Sequence, residues 1–345
     1  MIQKMSAILG ILLVLAGCQR QAPPAREDQR IRIGFSVASD DFLIERWDTD
    51  IKIFMNAARE TGADVILAKS PGDAKGQIPQ IQFLLQQNID VLVVIPEDME
   101  FLGGVIRKII DQGIPVLSYD RPIMGVPITG YISFDNQEVG RLQATALISR
   151  VPRGNYLIVN GSVRDNNSYE INRGVHSVLD PFVLSGDIRI IEEIWLDHWS
   201  FDEAQQKIGQ VLERTRDIQA IAAGNDQVAE AAIRLLSERQ LAGKVAVVGQ
   251  DADLINCQRI MEGAQLMTVY KPIHLLASRA AELAVDMARK TMTAPERYLD
   301  NQSGKEIPYF VETPVAVFRE DMDSTVIRDG FHSREDVYRS VPGQN

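Results

Sequence analysis

Ile31-Arg32-Ile33-Gly34-Phe35-Ser36-Val37 is an apolar run of strand length, and two residues later the chain continues Asp40-Asp41-Phe42-Leu43-Ile44-Glu45-Arg46-Trp47. A strand that delivers a guanidinium and an indole to its carboxyl end predicts an open α/β sheet. In such sheets ligands bind in the crevice outside the carboxyl ends of the strands. Arg donates several hydrogen bonds in a fixed plane and Trp offers a flat apolar face, a pairing that suits a small neutral polyol such as a sugar. The stretch points to binding before it points to chemistry.

Outward from this unit, apolar runs alternate with segments of helical period, the pattern of parallel βαβ units. The first half predicts strands at 31–37, 64–68, 91–95, 115–118 and 131–133, with helices near 47–60, 77–87 and 101–112. Gly62 and Gly113 stand just past two of those helices, where a left-handed C-cap is expected. A second series predicts strands at 156–159, 188–194, 220–223 and 245–248, with helices near 169–179, 201–213 and 227–239. A strand at 266–269, a helix at 273–290 and short segments at 314–318 and 325–330 follow, too little for a third core. The expectation is an α/β protein of two doubly wound domains joined by a hinge that the chain crosses several times. The lobes are expected at 31–136 with 270–305 and at 137–269 with 306–332, leaving 333–345 as a tail.

Toward the N-terminus, residues 1–18 read as a targeting segment: Lys4 gives a positive end, 8–15 an apolar run too short to remain as a membrane span, and Leu15-Ala16-Gly17-Cys18 a close. That close resembles a bacterial lipoprotein signal, in which the Cys, here Cys18, is lipidated. Residues 19–30, with Pro23-Pro24 and scattered charges, read as a flexible tether. Cys257, the other thiol of two, has no internal disulfide partner and reads as a small buried hydrophobe. A net charge of −11 and a pI near 5.0 exclude a nucleic-acid surface, which needs a basic patch to displace counterions from phosphate.

Polar residues collect at the predicted strand ends: Asp120-Arg121, Arg164-Asp165-Asn166-Asn167, Trp195, His198-Trp199, Asn225-Asp226, Gln250-Asp251 and Lys271. Asp and Asn are ordinary turn and cap residues, but Arg, Lys and Trp are not. A sugar hydroxyl both donates and accepts, so it needs acceptors beside donors, and this set supplies both. Paired carboxylates also serve glycoside hydrolysis. Asp120 is followed by Arg121 and Asp165 by two amides, however, neighbours that favour hydrogen-bonded carboxylates over a raised pKa. No phosphate-cradling Gly loop, G-x-S-x-G elbow or metal-spaced His cluster occurs, and the four His are dispersed. The expectation is therefore no catalysis, no cofactor and no metal.

Through Glu45-Arg46-Trp47, Tyr119-Asp120-Arg121, Tyr131-Ile132-Ser133-Phe134-Asp135-Asn136, Asp165-Asn166-Asn167, Asn225-Asp226, Gly249-Gln250-Asp251-Ala252-Asp253, Met267-Thr268-Val269-Tyr270-Lys271-Pro272 and Asp329-Gly330-Phe331-His332, the chain resembles the type I (ribose-binding-protein-like) periplasmic sugar-binding family of bacterial ABC importers, and within it the D-xylose-binding members. The resemblance implies that Trp47 and Trp199 sandwich a pyranose. It implies that Arg46, Asp120 and Arg121 contribute from the first domain, and Asp165, Asn167, Asn225, Asp251 and Lys271 from the second domain and the hinge. D-xylose or a similar monosaccharide is the implied ligand and an ABC transporter permease the implied partner. The implied location is extracytoplasmic, with the protein lipid-anchored to the bacterial membrane. An alternative role is a sensory subunit that presents xylose to a membrane histidine kinase or chemoreceptor.

Overall fold

The continuous apolar run Val91-Leu92-Val93-Val94-Ile95 is buried along its whole length, which requires cover on both faces of its sheet. The computed structural model describes residues 30–39, 44–71 and 74–340. The targeting segment, Cys18 and the tether up to residue 29 lie outside the described residues. Among the described residues no helix is long and apolar enough to cross a membrane.

The chain begins β1 (Ile31–Ser39), α1 (Ile44–Glu60), β2 (Ala63–Pro71), α2 (Ala74–Gln86), β3 (Val91–Ile95), α3 (Gly103–Asp111), β4 (Val116–Tyr119) and β5 (Gly130–Phe134). It then passes to α4 (Asn136–Arg150), β6 (Gly154–Ser162), α5 (Asn166–Leu184), β7 (Ile188–Leu196), α6 (Phe201–Arg214), β8 (Ala220–Ala223), α7 (Asp226–Glu238), β9 (Ala246–Gln250), α8 (Leu254–Glu262) and β10 (Met267–Tyr270). The remainder is α9 (Ile273–Arg289), β11 (Arg297–Asp300), β12 (Glu306–Glu312), β13 (Val315–Val317) and α10 (Arg334–Val337).

The strands form a sheet of seven, in the order β11-β12-β5-β4-β3-β1-β2, and a sheet of six, in the order β13-β10-β9-β8-β6-β7. Each has an apolar layer on both faces. In the first sheet, Phe35, Phe54, Leu276 and Phe310 belong to a cluster with α1 and α9, and Ile81, Leu84, Ile106 and Ile109 to one with α2 and α3. In the second, Ile208, Ile221 and Leu236 pack toward α6 and α7, and Val139, Ile158 and Ile171 toward α4 and α5. The result is two doubly wound α/β lobes, as the sequence pattern predicts.

The chain changes lobe between β5 and α4, between β10 and α9, and between β12 and β13. Two of these crossings touch: Asp135 N donates to Glu312 O at 3.0 Å. The last crossing corrects the expected division. Residues 306–312 belong to the first lobe, because β12 pairs in parallel with β5, Tyr309 opposite Tyr131. Tyr309 also stacks on Tyr131 with ring centroids 4.6 Å apart. The segment past 332 is not a bare tail either: Val337 and Tyr338 are buried with Cys257 and Met261 of α8. Burial pushes the Cys257 thiol well above its ordinary pKa, in keeping with a packing role.

Candidate binding cleft

Asp120 follows the end of β4 with a φ of 63°, unusual for a residue with a side chain. Its carbonyl is held from three sides: Tyr131 Oη donates at 2.9 Å, Ser133 Oγ at 2.7 Å and Asn167 Nδ2 at 3.0 Å. Burial, reinforced by Tyr309, pushes the Tyr131 hydroxyl well above its ordinary pKa, so it remains a donor. The backbone path turns Asp120 and Arg121 into the space between the lobes. Trp47, in the first turns of α1, is buried there as well, with the Arg121 guanidinium 5.9 Å from its ring centroid and Tyr119 edge-on at 6.5 Å. Arg46 precedes it in α1, but its side chain lies outside the described residues.

From the second lobe, Asp165 caps α5, its Oδ1 accepting from Asn167 N at 2.9 Å. Its Oδ2 accepts from Trp199 Nε1 at 3.1 Å and pairs with Arg121 Nε at 3.0 Å. The carboxylate is thus bonded to an indole of its own lobe and a guanidinium of the other. The Trp199 ring lies over β6 at Gly161, where a Cβ would stand 2.0 Å from a ring carbon. Asn225 follows β8 and caps α7 through Val228 N at 3.0 Å. Asp251 follows β9, and Lys271, just past β10, brings Nζ to 3.6 Å from Asp251 Oδ1.

Trp47, Asp120, Arg121, Asp165, Asn167, Trp199, Asn225, Asp251 and Lys271 therefore line one cleft, drawn in to a cavity of about 20 Å³. Gln250 lines it too and was not among the expected site residues; its Nε2 donates to Gly224 O at 2.8 Å. Its position at the carboxyl end of β9 was the available signal. A wider chamber of about 590 Å³, lined by Phe201, Glu230, Arg234 and Phe331 among others, adjoins the cleft; Asn225 and Asp251 face both. The lobes meet directly beside the cleft, where Met99 N donates to Arg164 O at 3.1 Å. Fixed acceptors, fixed donors and two indoles facing one another are the chemistry that binds a neutral polar ring. Among the described residues no group of His, Cys, Asp and Glu is arranged to hold a metal ion.

Comparison with known proteins gives a consistent picture. The family described as periplasmic binding protein domain matches residues 35–292. The D-xylose-binding periplasmic protein of Haemophilus influenzae is 40% identical over 332 residues, covering 96% of this chain and 99% of that protein. The D-xylose-binding periplasmic protein of Escherichia coli is likewise 40% identical, over 331 residues, with 96% and 99% covered. Among solved structures, a carbohydrate transporter solute-binding protein from Chloroflexus aurantiacus in complex with D-glucose superposes with a TM-score of 0.81 at 24% identity, covering 89% of this chain and 98% of that one.

Proposed function

Because the chain belongs to the periplasmic binding protein family, we propose that it is an extracytoplasmic D-xylose-binding protein that closes two lobes around one monosaccharide and delivers it to an ABC importer. The observation that carries this reading is the cleft between touching lobes, with an indole from each and donors alternating with acceptors. Its relatives in Haemophilus influenzae and Escherichia coli are D-xylose-binding periplasmic proteins, and it is a binding protein, not an enzyme. In this reading Trp47 and Trp199 cover the apolar faces of the pyranose. Arg121, Asn167, Asn225 and Lys271 donate to ring hydroxyls, and Asp120, Asp165 and Asp251 accept from them. A charged hydrogen-bonding group left unmatched in a closed cleft loses about 1–3 kcal/mol or more, which rejects sugars with a misplaced hydroxyl.

Titration calorimetry with D-xylose is expected to show one site per chain, and chromatography of the mixture to return the sugar unchanged. No heat with xylose but binding of another sugar would move the ligand assignment; release of xylose from a xyloside would revive hydrolysis. The anchor belongs to the same proposal. Cys18, preceded by Leu15-Ala16-Gly17, carries the lipid and residues 19–30 hold the sugar-binding body off the membrane. Cys18→Ala should shift the protein from the membrane fraction to the soluble one, and a variant that stays membrane-bound argues against the anchor.

A further inference from the structure

Asp226 opens α7 beside the cleft residue Asn225, yet it does not line the cleft and its side chain is wholly enclosed. Its Oδ2 accepts from Asp253 N at 3.0 Å and from Thr268 Oγ1 at 2.8 Å, and its Oδ1 accepts from Gln265 Nε2 at 2.9 Å. Thr268 Oγ1 in turn accepts from Ala252 N at 3.2 Å. These bonds converge on the turn that follows Asp251. That turn is unusual: Asp251 and Ala252, neither a glycine, have φ of 95° and 55°. Two successive residues in left-handed backbone persist only where the surroundings over-determine them.

The surroundings are built for the carboxylate. A Cβ on Gly249, in β9, would stand 2.1 Å from Asp226 Oδ1, so the strand carries no side chain where the oxygen sits. Keeping a carboxyl at this depth is unfavourable. Burial and then Asp253 push it well above the usual carboxylate range, against the pull of Gln265 and Thr268. An apolar residue would fill the same space without that cost, but it would leave the Asp253 N–H without its acceptor and the turn without its hold.

We propose that Asp226 is a positioning residue of the sugar site, its enclosed carboxylate holding the Asp251–Asp253 turn in the left-handed path that presents Asp251 to the ligand. This rests on the cleft's binding of a monosaccharide. A substitution at Asp226 then acts on affinity through Asp251, whereas general weakening of the lobe acts whatever stands at position 251.

The test is a double-mutant cycle on D-xylose affinity, measured by calorimetry for wild type, Asp226→Asn, Asp251→Asn and the double variant. Asp226→Asn keeps the volume but replaces one accepting oxygen by an N–H group, which then faces Gln265 Nε2 or else Asp253 N and Thr268 Oγ1, so at least one of the three donors meets a donor. It is expected to weaken xylose tenfold or more in the wild-type background and less than twofold beside Asp251→Asn. Equal weakening in both backgrounds, or none in the first, overturns the proposal. Wild type that binds no xylose overturns the sugar reading instead. Should Asp226→Asn fail to fold, Thr268→Val enters the same cycle. It is expected to weaken binding threefold or more with Thr268→Ser close to wild type, and unchanged affinity in Thr268→Val overturns the proposal.

Discussion

Gly161 determines where the indole of Trp199 can lie. Its φ is not in the left-handed region, so alanine fits the backbone there; what alanine does not fit is the ring, three of whose carbons lie 2.0–2.3 Å from the position of a Cβ. Gly161→Ala should therefore push the indole off β6, breaking its bond to Asp165 and tilting one wall of the cleft. The expected loss is about 1–2 kcal/mol of sugar binding, roughly tenfold in Kd, with the fold retained. Calorimetry checks the affinity and circular dichroism the fold; wild-type affinity would remove Trp199 from the binding role. That Asp120, Asp165 and Asp251 line the cleft was legible in the sequence, since each follows an apolar strand, the first two beside Arg121 and Arg164 and the third beside Gln250. Asp226 was not. An Asp at the start of a helix looks like any first-turn acid, and only its enclosure against Thr268 and Gln265 separates it from one.

At the scale of elements, legibility followed burial. β3 and β8 were readable to the residue, since strands covered on both faces are continuous apolar runs. The hairpin of β11 and β12 was missed because β11 is an edge strand with largely exposed side chains, and its partner carries Glu306 and Pro308. The helix α4 was missed for a different reason. Its buried face includes Asn136, Gly140, Gln143, Ala144 and Ala146, small or polar residues that leave no apolar stripe, and Gln143 Nε2 donates to Ala223 O at 3.0 Å. One inter-element tie titrates. His176 of α5 places Nδ1 2.8 Å from Asp180 Oδ1 and Nε2 3.1 Å from Glu193 Oε2 of β7. Burial opposes its charge, but the two carboxylates outweigh burial and raise its pKa above 6.5. A group whose pKa is raised on folding contributes its stability fully below the unfolded value and loses it as pH climbs through the folded one. The melting-temperature gap between wild type and His176→Gln should thus be widest near about pH 6 and shrink toward about pH 9. A gap of the same size at both would show that the ring acts by packing alone.

At the scale of the whole molecule, the cleft residues are also the closing surfaces. Arg121 Nε and Asp165 Oδ2 meet across the lobes at 3.0 Å with both side chains buried, and Asn167 Nδ2 reaches Asp120 O at 3.0 Å. Opening about the three crossings separates these pairs and hydrates both charges, so the pair by itself favours closure only modestly. The sugar must supply the rest, by binding the closed state more tightly than the open one; a ligand with equal affinity for both would shift nothing. Arg121→Ala changes that balance sharply. It leaves Asp165 with the Trp199 and Asn167 donors but without its cation from the facing lobe, and a buried charge stripped of its partner costs about 3–5 kcal/mol in the closed form alone. Small-angle scattering should show wild type compacting on addition of xylose, while Arg121→Ala stays extended at a sugar concentration that saturates wild type. Superimposable curves for the two proteins with xylose would mean that closure is driven elsewhere, at the hinge or by the aromatic walls, and that the Arg121–Asp165 pair merely accompanies it.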